Sequence, residues 1–148
     1  MQDLYVAGYP FGVNLSSSIK VTKGIGSSLT GLGNNFFNIQ IDAAIQPGNS
    51  GGPIFEDSGN VLGVAVAPLD IEYVLNRFDA IPQNTNFGIK ANIVSNLLSS
   101  NGIETTEPST SAISSTQLGV LASDATYCLS FLNDYSANSA NAFNQSIV

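Results

Sequence analysis

Residues 42–64 read DAAIQPGNSGGPIFEDSGNVLGV. A single serine, Ser50, stands among Gly48, Gly51 and Gly52, with Pro47 and Pro53 on the flanks. Glycines on both sides of a serine let the backbone bend so that the hydroxyl and nearby N–H groups face one point. Pro53, Ile54 and Phe55 then read as a strand. EDSGN (residues 56–60) reads as a hairpin turn, leading into a continuous small apolar run at residues 61–67 that should be buried on both faces.

Outward from this stretch the same pattern repeats. Residues 4–7 are a short β-favouring run, closed by the turn signals of GYPFG (8–12). Residues 18–25 alternate, with Ile19, Val21 and Ile25 among Lys20, Lys23 and glycines. After the turn TGLGNN (30–35), residues 36–41 alternate again, which would set Phe37, Ile39 and Ile41 on one side. Residues 86–89 make a sixth strand. Ala91, Val94, Leu97 and Leu98 recur at helical spacing, and Gly102 lies where a helix would stop. The expected fold is all-β: a six-stranded antiparallel barrel over about residues 3–90 with a helix at about 91–99.

Composition changes at Glu104. Residues 104–117 are mostly Ser, Thr, Glu and Pro with no aromatic residue, and read as an exposed linker between a barrel domain (1–103) and a small appendage (118–148). In the appendage, Leu118, Leu121, Ala122 and Ala125 mark a helix with Ser115 as its N-cap. Tyr127, Leu129 and Phe131 alternate with Cys128 and Ser130 as a final strand, in which Cys128 would be a buried, inert thiol. The polar tail from residue 137 should fray.

The totals narrow the function. A chain of 148 residues with 43% hydrophobic content suits one domain. Net charge is −7, which argues against nucleic acid or an anionic membrane as partner. No apolar run is long enough to span a bilayer. The opening MQDLYVAGYP carries acid rather than base and lacks a small-residue cleavage site, so it does not read as a signal peptide. One cysteine leaves the redox compartment open. No acidic or Cys/His cluster has metal-ligand spacing, and no cofactor is expected.

Ser50 admits several readings. A glycine-rich turn is the plain one. A phosphate-cradling loop would need a Gly-Lys-Ser/Thr ending and a helix, and has neither. The nucleophile elbow of α/β-hydrolases matches Gly48-x-Ser50-x-Gly52, but it needs a helix directly after the serine and a histidine further on. A strand follows here, and the whole chain contains no histidine. The remaining catalytic order places histidine and aspartate ahead of the serine.

In that order the sequence resembles a family. Residues 42–64 are similar to the active-site segment of trypsin-like serine peptidases, specifically the bacterial HtrA-type (Deg-like) branch. YVAGYPFG (5–12), VTKGIGSSL (21–29) and NFGIKANIVSNLL (86–98) match that branch in the same order. The resemblance covers roughly residues 4–102. It implies a fold of two barrels with the active site between them, of which this chain supplies the second. The missing N-terminal barrel would carry the histidine and aspartate. By the resemblance Ser50 is the nucleophile that forms an acyl-enzyme, and the backbone N–H groups of Gly48 and Ser50 form the oxyanion hole. Asn49 stands where activatable digestive relatives carry an aspartate, so zymogen activation of that kind is not expected. A polypeptide substrate would pair by main chain along Val66, Ala67 and Pro68. Ala44 would form the base of the primary specificity pocket, uncharged and therefore unsuited to Lys or Arg. Asp42 reads as a turn-bonding carboxylate, not as the missing triad acid. The resemblance suggests a periplasmic or secreted setting.

The expected activity is that of a serine endopeptidase present as a half, inactive alone. The alternatives are a non-catalytic peptide-binding barrel and an inactive fragment. A half-protein should also expose apolar surface and self-associate.

Overall fold

The computed structural model describes residues 2–12, 17–66, 74–76, 79 and 82–129. Six strands form the barrel: β1 (Asp3–Gly8), β2 (Lys20–Ser28), β3 (Asn38–Ile41), β4 (Pro53–Phe55), β5 (Val61–Ala65) and β6 (Asn86–Lys90). Two helices follow, α1 (Ala91–Ser100) and α2 (Ser115–Ala125). The strands close in the order β1-β2-β3-β6-β5-β4, each pair antiparallel. The seam sets Tyr5 opposite Phe55 and Val6 opposite Ile54.

Strand alternation sorts the side chains. Leu4, Val6, Ile41 and Ile54 point inward and, with Ala43, Ile45 and Ala65, fill the barrel. Burial of each large side chain in that set is worth about 1.5–3 kcal/mol. Tyr5, Ala7 and Phe55 take the opposite face. Tyr5 stacks on Phe55 with ring centroids 5.8 Å apart. There Ala7 and Phe55 meet Leu118 and Ala122 of α2 in a second, smaller cluster.

The first expectation to be corrected concerns residues 61–67. The strand is β5, and it is not buried on both faces: Val61 is exposed, while Leu62 and Val64 are half-buried. One face of β5 looks into the barrel, and the other is only partly covered by α1. Phe37 does not share a buried side with Ile39 and Ile41. The ladder with β6 starts at Asn38, so Phe36 and Phe37 lie past the barrel's end and are exposed.

Residues 104–112 are exposed but pinned. Ser109 and Asn60 exchange two hydrogen bonds of 2.7 Å, and the Ile113 N–H donates to the Asp57 carbonyl at 2.9 Å. Helix α2 is capped by Ser114, not Ser115. The Ser114 hydroxyl accepts from the Gln117 N–H, and the Gln117 side chain accepts from the Ser114 N–H. No strand forms over residues 126–129, and Phe131 lies outside the described residues. Without that strand Cys128 is exposed, contrary to the buried thiol expected.

Candidate active site

The Ser50 loop is built by close backbone approach. Gly48 has φ +99°, and a Cβ there would run into the Tyr9 carbonyl oxygen. A Cβ on Gly52 would strike the Ala7 carbonyl oxygen. The glycines are thus dictated by β1 and its following turn, which lie directly beneath the loop. Hydrogen bonds fix the stack: Tyr9 N–H to Gly48 C=O at 3.2 Å and Phe11 N–H to Pro47 C=O at 2.7 Å.

Within the loop the Asn49 N–H donates to Gln46 C=O (2.9 Å), Gly51 N–H to Ala65 C=O (2.8 Å) and Gly52 N–H to Asn49 C=O (3.0 Å). Among the described residues, the N–H groups of Gly48 and Ser50 donate to nothing, and the Ser50 hydroxyl has no partner. Two uncommitted amides thus flank the buried Asn49, on the same loop as the Ser50 hydroxyl. Asn49 itself is 2% exposed, and its Oδ1 is buried without a hydrogen-bond partner.

A pocket of about 360 Å³ opens at the loop. Three stretches line it: Gly8, Tyr9 and Gly12; Gly48, Ser50, Gly51 and Gly52; and residues 125–129. Of the residues singled out in the sequence, Gly48 and Ser50 line this pocket; Tyr9, in the turn signal GYPFG, and residues 125–129, for which no local signal exists, line it too. Among the described residues no carboxylate lines the pocket, and no group of His, Cys, Asp or Glu could hold a metal ion.

Ala44 lies outside this pocket and is exposed; its carbonyl accepts from the Thr22 hydroxyl at 3.0 Å. Val66 is half-buried at the end of β5, with its N–H bound to the Phe87 carbonyl at 3.1 Å. Ala67 and Pro68 lie outside the described residues. Asp42 accepts from the Ile25 N–H at 2.6 Å, bracing the β2 side of the barrel away from Ser50.

Residues 1–64 match the trypsin-like peptidase domain. The uncharacterised protein y4bJ of Sinorhizobium fredii is 42% identical over 102 residues, which is 69% of this chain and 16% of that protein. A serine protease HtrA-like protein of Staphylococcus aureus is 33% identical over 97 residues, covering 56% of this chain and 12% of that one. The crystal structure of the serine endoprotease from Yersinia pestis superposes with a TM-score of 0.50 at 27% identity, over 67% of this chain and 30% of that chain. The closed barrel and the serine loop are therefore those of a trypsin-like peptidase. Within that class the chain is of the HtrA type. It spans less than a fifth of the length of the two curated relatives described above.

Proposed function

We propose that this chain supplies the nucleophile-bearing barrel of a serine endopeptidase whose histidine and aspartate come from an N-terminal barrel outside these 148 residues. The observation that carries the reading is the pair of uncommitted N–H groups on Gly48 and Ser50 beside the free Ser50 hydroxyl. In this reading Ser50 Oγ attacks a peptide carbonyl while a partner imidazole takes its proton. The two amides hold the resulting oxyanion, the amine leaves, and water later releases the acyl group. Asn49 keeps the loop folded without an added N-terminal charge. Ala44 and the 66–68 segment are assigned to substrate by resemblance: an uncharged pocket base and a main-chain pairing edge.

Without an imidazole the hydroxyl stays protonated at neutral pH and is a weak nucleophile. The chain alone is therefore expected to be nearly inert. Fusing an HtrA-type N-terminal barrel before Met1 should produce peptide hydrolysis and fluorophosphonate labelling, both abolished by Ser50→Ala. A folded fusion that neither cleaves peptides nor labels at Ser50 sinks the reading and favours the non-catalytic barrel. The unpartnered face should also make the chain self-associate at micromolar concentration. A monomer at every concentration by light scattering counts against a missing barrel.

A further inference from the structure

We propose that residues 125–129 are a strap across the Ser50 loop, and that the strap must lift before a base or a peptide reaches Ser50. The biological meaning of this device rests on the nucleophile reading above, but its geometry does not. Residues 125–129 line the same pocket as Ser50. A single side chain fits in about 360 Å³. A folded element that delivers one does not, since even an isolated helix is about 10–12 Å across.

The strap is held by a graded series of contacts. Farthest along the chain from the pocket-lining residues, Ser109 is clasped by Asn60, and Ile113 is tied to Asp57. Next, Leu118 and Ala122 are buried against Ala7 and Phe55. Within the pocket lining itself, a hydrogen bond of 3.2 Å from the Tyr9 hydroxyl to the Thr126 carbonyl seats the segment. Fixation weakens toward the pocket. Val120, Leu121, Tyr127 and Leu129 remain exposed, so little apolar area opposes lifting.

One group works against closure. Thr126 is 7% exposed, and its hydroxyl is buried with no partner. A buried hydroxyl without a hydrogen bond favours the open state, where water satisfies it. The strap therefore combines a firm anchor at α2 with a deliberately poor fit over the site, as a displaceable cover requires. A docking partner that claims the Ser50 face competes with two contacts, the Tyr9–Thr126 bond and the pocket wall, while the anchor stays in place.

The test uses the full chain with Ser50→Cys and Cys128→Ser, so that the introduced thiol at position 50 is the sole one. Its alkylation rate by a maleimide carrying a polyethylene glycol chain, too bulky for a pocket of about 360 Å³, reports how often the strap is open. Leu118→Asp, which unseats α2, should speed alkylation by roughly tenfold or more. Thr126→Val, which removes the orphaned hydroxyl, should slow it by roughly fivefold. A rate unchanged by Leu118→Asp in a folded protein overturns the strap. If Leu118→Asp does not fold, Thr126→Val decides: slower alkylation supports the strap, and equal or faster alkylation overturns it. Alkylation needs neither histidine nor acyl-enzyme. A flat rate thus removes the strap and leaves the peptidase reading standing, whereas an inert fusion with strap-dependent alkylation does the reverse.

Discussion

Asn49 lies so close over Gly8 that a Cβ on residue 8 would stand 2.7 Å from the Asn49 Oδ1. The end of β1 and the serine loop are therefore one packed unit, with the amide of Asn49 sealed between them. Nothing in that contact pairs with Oδ1, so the site tolerates a neutral amide and would not tolerate an ion.

Asn49→Asp should accordingly show a reversed pH dependence of stability. Burial without a partner raises the folded pKa of the new carboxyl above its unfolded value of about 3.9. The neutral form is favoured, so the variant keeps most of its stability below that value. It loses stability as pH rises toward the folded pKa, with a deficit of about 3 kcal/mol at neutral pH. Urea midpoints of variant and parent should converge in acid and diverge above it. Parallel midpoints at all pH values would show that the site hydrates.

Glu56 should give the opposite sign. The Ser58 hydroxyl first, then the Asn60 amide, and more weakly Gln2, hold its carboxyl below the usual carboxylate range. Its contribution is present above the unfolded pKa and is lost as pH falls through the folded one. Protonation also frees Asn60, the residue that clasps Ser109. The protection factor of the Ser109 amide, referred to its intrinsic exchange rate at each pH, should therefore fall in acid, and Glu56→Gln should flatten that dependence.

The glycines should divide sharply. Gly52→Ala pushes a methyl into the Ala7 carbonyl and should cost about 3 kcal/mol or more, with loss of any Ser50-dependent activity in the fused protein. Gly119 sits in α2 with open space around the Cβ position. Gly119→Ala should stabilise the helix by up to about 1 kcal/mol. Thermal denaturation of the two variants checks both directions at once.

Leu118→Ala should loosen α2 before it touches the barrel. Leu118 belongs to the cluster outside the barrel wall, so removing it should cost about 2 kcal/mol, the low end for a buried leucine. Hydrogen exchange should report the loss in residues 115–125 while β1 and β4 stay protected. Uniform loss of protection would mean that the appendage and barrel unfold as one.

Strand alternation made the barrel legible: Leu4 and Val6 in β1 and Ile54 in β4 carry it, and the turn chemistry of Glu56 to Asn60 fixed the β4–β5 hairpin. The serine loop was legible because Gly48 and Gly52 have no ordinary reason to flank Ser50. Phe37 departs from the pattern because the paired register ends at Asn38 opposite Ile89: its carbonyl still accepts from the Lys90 N–H at 3.0 Å, but its ring is exposed. The 125–129 wall was invisible because Thr126 meets Tyr9 across the whole length of the barrel sequence. No local pattern encodes such a contact.

The Tyr5–Phe55 seam also sets the order of events during synthesis and folding. β1 can pair with β2 as soon as both exist, but its other edge waits for a strand about fifty residues downstream, and closing so long a loop is entropically slow. Until Phe55 emerges, β1 carries a raw edge able to template pairing with other chains. A nascent chain halted in the serine loop is therefore the form most in need of a chaperone.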